Sequence, residues 1–131
     1  MPIELTMIAY SVALLLVVIL IQGNATVLVN GIPYAGGNRD EAVPMTPFQG
    51  RAKRTVMNHV EGLAMFAPLA LIAAQQGIST STTMLAAQLF FYGRVVHALV
   101  YLAGIPMVRT LAWVVSIAGT VMMFLAIIKV V

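Results

Sequence analysis

Four long apolar stretches occupy nearly all of this chain and constrain its fold more than any other feature. They cover about residues 3–29, 47–76, 82–102 and 107–130. Each is long enough to cross a hydrocarbon layer of roughly 30 Å as an α-helix, which takes about 20 residues. Because 61% of the residues are hydrophobic and only 8% are charged, a water-soluble domain is excluded. The sequence predicts one all-α domain: a four-transmembrane-helix bundle in an integral, multi-pass membrane protein surrounded by lipids.

The distribution of basic residues predicts how the bundle is oriented. Six of the seven lie toward one end of the spans: Arg39, Arg51, Lys53, Arg54, Arg94 and Arg109. The positive-inside rule then places both termini on the non-cytoplasmic side and the loop 30–46 in the cytoplasm. That loop is rich in Gly and Pro, which predicts no regular element and either a solvated connector or a lid over a polar site. In a bacterium the membrane would be the inner (plasma) membrane.

The second span begins with a capping signal and carries charge into an apolar segment. Thr46 suits the N-cap, Pro47 the first helical position, and Gln49 completes a capping box. Glu61 lies roughly 10 Å inside the hydrocarbon boundary, where an unpaired charge is costly and needs a partner. At about 100° per residue, one polar face contains Arg51, Arg54, Asn58 and Glu61.

The third and fourth spans supply further polar residues near the same end. Arg94, His97 and Tyr101 follow i, i+3, i+7 spacing and share a face. Arg94 lies about 12 Å deep, close to the depth of Glu61, so we expect the two charges to form an ion pair, either as helix glue or within a site. Arg109 either snorkels to lipid headgroups or reaches over the same polar region to bind carboxylates.

Two aromatic residues near this region are interpreted more conservatively. His59 lies about 100° away from Asn58 on the helix, off the polar face, and we expect a packed or interfacial histidine rather than a ligand. Trp113 is either an interface anchor or a surface on which a ligand stacks.

Several chemistries are poor fits to this sequence. The chain has two histidines and no cysteine, and no closed set of metal ligands has suitable spacing. No serine neighbours a histidine–carboxylate arrangement, which excludes a triad hydrolase. Nucleic-acid-binding modules are absent from the sequence. The cation-rich polar set, with one carboxylate and one amide, instead suits a small zwitterionic ligand bearing more than one carboxylate. A lipophilic second substrate would reach such a site sideways through the bilayer.

The order of these motifs resembles the family of membrane-associated proteins in eicosanoid and glutathione metabolism (MAPEG). The resemblance rests on Arg54-x3-Asn58-x2-Glu61 in the second helix, Gly93-Arg94-Val95-Val96-His97-x3-Tyr101 in the third, Arg109-Thr110 in the fourth, and the loop motif Asn38-Arg39-Asp40-Glu41. His97 is the variant typical of the microsomal prostaglandin E synthase branch. The chain looks like a bacterial-type member similar to microsomal glutathione transferase and prostaglandin E synthase.

The resemblance implies a homotrimer of four-helix protomers with glutathione bound between neighbouring subunits. Arg54, Asn58 and Glu61 would bind it from one subunit, and His97, Tyr101 and Arg109 from the next. The resemblance also implies that Arg109 stabilises the glutathione thiolate and that Thr110 donates a hydroxyl to the sulfur. Arg94 would act mainly through Glu61. The predicted catalytic residues are Arg109 and Thr110, with no metal. The predicted cofactor-binding residues are Arg51, Arg54, Asn58, Glu61, Arg94, His97 and Tyr101.

Two features depart from the family pattern. Members with well-defined glutathione sites usually carry arginine at the inner end of the first helix, where this chain has Val27-Leu28-Val29-Asn30. Gly62 follows Glu61, where one branch has a tyrosine. These departures concern glutathione binding more than the fold.

The predicted function is a membrane glutathione-dependent transferase or peroxidase-like enzyme that adds the thiolate to a lipophilic electrophile. One alternative is a non-catalytic trimeric scaffold or binding protein of the same family, in which the polar cluster serves assembly. Another is a small multidrug exporter. That class needs an acidic residue in the middle of its first span, whereas Glu4 lies at the outer end.

Overall fold

The structure, a computed structural model, describes residues 1–129 of the chain and contains only helices and their connections in that range. The helices are α1 (Ile3–Asn30), α2 (Ile32–Ala35), α3 (Pro47–Gln75), α4 (Ser81–Ala103) and α5 (Pro106–Ile127). All except α2 are long and apolar enough to cross a membrane. The predicted four-helix membrane bundle is therefore confirmed. The last span was predicted to end at residue 130, which lies outside the described residues, and α5 ends at Ile127.

Capping boxes start the second and third membrane helices. At α3, the Gln49 amide donates to the Thr46 hydroxyl at 3.2 Å, and the Thr46 amide donates to the Gln49 side chain at 2.9 Å. At α4, the amides and hydroxyls of Thr80 and Thr83 make the same reciprocal bonds at 3.2 and 2.8 Å. These bonds satisfy amide groups that the first turn of a helix leaves without partners. The predicted start of α3 at Pro47 is confirmed.

The loop between α1 and α3 contains one helical turn. Gly31 adopts a φ of 83° and ends α1, a backbone conformation that glycine adopts without strain. The following four residues, Ile32–Ala35, form α2, so the prediction that this loop has no regular element is wrong for them. Pro33 is compatible with this turn because the first residues of a helix have no intrahelical acceptor for their N–H groups.

Helices α4 and α5 approach each other closely at two glycines. A Cβ atom on Gly93 would lie 3.0 Å from the backbone nitrogen of Ser116. A Cβ atom on Gly119 would lie 2.5 Å from the carbonyl oxygen of Ala86. Neither site has room for a side chain, as is common where membrane helices pack through small residues. The contact brings Arg94, the residue after Gly93, against α5.

The apolar core lies in the middle of the bundle and is built around two stacked aromatic rings. Phe66 of α3 and Phe90 of α4 are buried, with ring centroids 4.2 Å apart and planes 5° from parallel. Met7 of α1 and Met123 of α5 complete the cluster. Gly62, one turn before Phe66, lies beside both Phe90 and the guanidinium of Arg94. The polar region therefore begins directly next to the core.

Candidate functional site

Tyr101 in the last turn of α4 is the point where two arginines from other helices converge. The Nε of Arg54, from α3, donates a hydrogen bond to the Tyr101 hydroxyl at 2.9 Å. The guanidinium carbon of Arg109, from α5, lies 4.5 Å from the centroid of the Tyr101 ring, a distance at which a cation is attracted to the ring face. Both guanidinium groups keep further N–H donors available.

A cavity of about 200 Å³ lies beside this tyrosine. Its lining includes the guanidinium-bearing residues Arg51, Arg54 and Arg109 and, within the described chain, no acidic side chain. The Nε of Arg51 also donates to the carbonyl of Leu102 at 3.4 Å, near the C-terminus of α4, where carbonyl groups lack intrahelical partners. Three guanidinium groups around one small cavity favour an anionic occupant such as a carboxylate or a thiolate.

A second cavity, of about 140 Å³, lies on the other side of Arg109. It is lined by Asn58, His97, Arg109, Thr110 and Trp113. Arg109 contributes to both cavities. Arg54 and Asn58, predicted to act from a different subunit than Tyr101 and Arg109, lie beside them within one subunit. The two predicted catalytic residues, Arg109 and Thr110, lie together here, and Trp113 lines the same space.

Arg94 lies deeper and does not form the predicted ion pair with Glu61. One terminal nitrogen donates to the backbone carbonyl of Asn58 at 3.0 Å and to its side-chain oxygen. The other donates to the hydroxyl of Ser116 at 2.9 Å. Glu61 is exposed and pairs with no cation within residues 1–129. The prediction is wrong for a single subunit, because the space beside Gly62 lets Arg94 reach the turn that carries Asn58.

The remaining predicted residues separate into those that line the cavities and those that do not. Glu61 lies on the exposed surface of α3, and Arg94 is buried behind Asn58. The residues that line one or both cavities are Arg51, Arg54, Asn58, His97, Tyr101, Arg109 and Thr110.

His59 is a residue whose neighbours the sequence interpretation missed. It is buried, as predicted for a packed histidine, but its ring centroid lies 5.5 Å from that of His97 on α4. A signal for this orientation exists in the sequence. Buried residues of α3 recur at spacings of three and four, which marks the face toward the other helices: Ala52, Thr55, His59, Gly62, Phe66, Ala70 and Ala73.

A third polar cavity, of about 280 Å³, lies between the end of α1 and the start of α3. The side-chain nitrogen of Gln49 donates to the side-chain oxygen of Asn30 at 2.8 Å and joins the two helices. Asn30 is the last residue of α1, so this amide contact ties the end of α1 to the start of α3 within the subunit. The cavity is lined by Gln22, Thr26, Asn30, Tyr34, Arg39, Ala42, Val43, Met45, Gln49 and Lys53.

An all-helical, multi-pass membrane protein with a cationic polar site at one end of its bundle is the class that this fold and site define. The profile of the MAPEG family matches residues 5–129, nearly the whole chain, and the chain therefore belongs to the MAPEG family. Membership supports a function related to glutathione. Neither a curated protein nor a solved structure matches the chain.

Proposed function

We propose that this protein is a glutathione-dependent transferase or peroxidase-like enzyme, active as a homotrimer, that attacks lipophilic electrophiles with the glutathione thiolate. The observation that carries the proposal is the convergence of Arg54 and Arg109 on Tyr101, beside a cavity lined by three guanidinium groups. Glutathione has two carboxylates and a thiol, and each of these anionic or ionisable groups finds a cationic partner in such a site.

We assign the following roles to the site residues. Arg51 and Arg54 bind the carboxylates, and Tyr101 is oriented by its bond from Arg54. Arg109 stabilises the thiolate electrostatically, and the Thr110 hydroxyl donates a hydrogen bond to sulfur. The thiol releases its proton to solvent, and the sulfur then forms a bond to the electrophilic carbon. With an aryl halide, the halide leaves with the electron pair of the broken bond.

The exposed carboxylate of Glu61 supports the trimeric arrangement. Glu61 lies within a membrane helix, is exposed on the single subunit and lacks a cationic partner in residues 1–129. A carboxylate facing hydrocarbon without a partner is strongly unfavourable. A neighbouring subunit that covers this face, with the glutathione ammonium bound to Glu61 at the interface, removes that cost.

The site is proposed to face the cytoplasm, with both termini on the opposite side. The structure brings the ends of α3, α4 and α5 that carry Arg51, Tyr101 and Arg109 together at one end of the bundle, which is the distribution that the positive-inside rule describes. Because the chain has no cysteine, single cysteines placed in either connection can be tested for labelling from one side of the membrane.

The function can be tested with the detergent-purified protein by ultraviolet absorbance. Addition of glutathione should produce the absorbance of a thiolate at neutral pH, whereas S-methylglutathione, which has no thiol proton, should not. The same preparation should conjugate glutathione to a generic aryl halide. Absence of both signals in a folded protein would contradict the proposal and favour the non-catalytic scaffold.

Substitution of Glu61 separates a ligand-binding role from an assembly role. Glu61→Leu should leave the trimer intact and weaken glutathione binding, while Glu61→Gln, of nearly the same shape, should weaken it less. A monomer in Glu61→Leu, measured by light scattering in detergent, would instead show that this carboxylate serves assembly.

A further inference from the structure

Three buried polar atoms without partners belong to neighbouring side chains beneath the candidate site. They are Nε2 of His59, Nε of Arg94 and Nδ1 of His97, and they are the buried side-chain nitrogen or oxygen atoms left unpaired within residues 1–129. His59 is 3% exposed and His97 and Arg94 are each 2% exposed. Because a buried polar group without a hydrogen bond costs about 1–3 kcal/mol, three in one place require a common explanation.

The three atoms belong to one contiguous cluster. The His59 and His97 rings lie 5.5 Å apart, with their planes inclined by 54°. Arg94 precedes His97 by one helical turn on the same face of α4. Its terminal nitrogen bonds to Asn58, the residue before His59. The three side chains that carry the unpaired atoms therefore lie in the same junction between α3 and α4.

The nature of the missing partner follows from hydrogen-bonding chemistry. The two histidine nitrogens form no direct hydrogen bond with each other, and ring centroids 5.5 Å apart are close enough for one small molecule to bond to a nitrogen of each ring. A metal cation is disfavoured because the guanidinium of Arg94 occupies the same junction. A water molecule matches the number of unpaired atoms, since internal waters typically make about three hydrogen bonds to buried polar groups.

We propose that His59, Arg94 and His97 bind one internal water, and that this water fixes the tautomer of His97. Arg94 can only donate, so its Nε–H donates to the water oxygen. Both water protons are then directed to the histidines, and Nε2 of His59 and Nδ1 of His97 act as acceptors. A ring nitrogen that accepts leaves the proton on the other nitrogen. His97 is therefore protonated on Nε2, and His59 on Nδ1.

This arrangement gives the cavity above it a defined hydrogen-bond donor. His97 lines the 140 Å³ cavity together with Arg109. Its Nδ1 atom is buried away from the cavity and bonds to the proposed water. The Nε2–H group is therefore the donor toward the cavity. A donor beside Arg109 complements an anion. His59 is thereby a positioning residue that acts through the water and His97. Its effect on glutathione rests on the proposed function, whereas the water and the tautomers do not.

The tautomers can be measured directly because the chain contains two histidines. Long-range ¹H–¹⁵N correlation spectra of full-length, [¹⁵N]histidine-labelled protein in detergent, without ligand, distinguish the Nδ1–H and Nε2–H forms. A His59 variant leaves one histidine and assigns both signals. The wild-type protein is expected to show His97 as Nε2–H and His59 as Nδ1–H. The Nδ1–H form of His97 in the wild type would overturn the proposal, whatever the variants do.

Two variants of His59 test whether it acts through its Nε2 atom. His59→Gln keeps a polar group near that position and should retain the Nε2–H form of His97. His59→Phe keeps the ring but removes the polar atom, and the minor tautomer of His97 should rise severalfold. Equal spectra for the two variants, in samples with wild-type circular dichroism, would overturn the positioning role.

Glutathione conjugation provides a separate measurement. His59→Phe should lower the conjugation rate, and His59→Gln should restore most of it. A wild-type protein with the expected tautomers but without conjugation would contradict the proposed function and leave the water site supported. A wild-type protein that conjugates glutathione with His97 in the Nδ1–H form would support the proposed function and contradict the water site.

Discussion

The two ends of the helix bundle differ in how their charged side chains are paired. At one end, here called the glutamate end, the Glu4 carboxylate is 2% exposed and accepts hydrogen bonds from the hydroxyls of Ser79, at 3.0 Å, and Thr83. At the other, the arginine end, Arg51, Arg54 and Arg109 surround a cavity without an acidic partner in the described residues. The Glu4 carboxylate is buried and hydrogen-bonded within the subunit, whereas each of the three guanidinium groups keeps N–H donors that form no hydrogen bond within residues 1–129.

This difference separates a structural polar group from a binding one. A buried group with all its hydrogen bonds formed stabilises the contact between the helices that provide its partners. Its removal therefore lowers the free energy of unfolding. Cations without an internal partner contribute little to folding and favour the binding of an anion. Substitutions at the glutamate end should therefore alter stability, and those at the arginine end should alter ligand binding and activity.

The largest expected effect is at Arg109. Arg109→Ala should lower the glutathione conjugation rate by about 10²- to 10³-fold, the usual cost of removing one stabilising donor from a reacting anion, with little change in thermal unfolding. Lys53→Ala is the matched control, since Lys53 is a cation of the same end that lines a different cavity. If Arg109→Ala lost stability but kept its activity, the arginine end would serve stability like the glutamate end, contrary to this comparison.

Arg94 should show the largest effect on stability, although it lies near the arginine end. Arg94→Leu leaves Asn58 and Ser116 without their donor and should reduce the free energy of unfolding by about 3 kcal/mol. Ser116→Ala removes one acceptor and should cost about 1 kcal/mol. Denaturant titration in mixed micelles measures both. If Arg94→Leu and Ser116→Ala lowered the free energy of unfolding equally, the hydrogen bonds from Arg94 to Asn58 would contribute little to stability.

The close contact of α4 with α5 should influence both the stability of the bundle and the activity at the arginine end. Gly119→Ala places a Cβ atom against the backbone of Ala86 and should cost about 2 kcal/mol by forcing the helices apart. Glutathione conjugation should fall as well, because α5 carries Arg109. Gly23→Ala is the control, since no atom lies within 4 Å of its added Cβ. Wild-type stability and a wild-type conjugation rate in Gly119→Ala would disprove the tight contact.

The smallest effect is expected at Glu4. Glu4→Gln retains one oxygen acceptor for Ser79 and Thr83 and should reduce the free energy of unfolding by about 1 kcal/mol. Thiolate formation with glutathione should be unchanged in the folded protein. The exposed loop residue Glu41 provides a control in Glu41→Gln. Loss of glutathione binding in Glu4→Gln would show that the two ends are coupled.

Much of this architecture was predictable from the sequence alone. The four membrane helices follow from the length of the apolar stretches, and the start of α3 follows from the Thr46 and Gln49 capping box. The common burial of Arg94, His97 and Tyr101 follows from their helical spacing. These properties are local, since hydropathy and the 3.6-residue period depend on neighbours along the chain.

Contacts between helices were decided only by the tertiary structure. Matched depth predicted that Glu61 would pair with Arg94, but the guanidinium instead reaches Asn58 and Ser116. His59, predicted to lie off the polar face, meets His97. Depth and spacing place a residue along a helix and around it, but they do not specify which neighbouring helix it faces or how closely. Packing at sites such as Gly62 and Gly93 sets that rotation and distance, and these depend on the whole bundle.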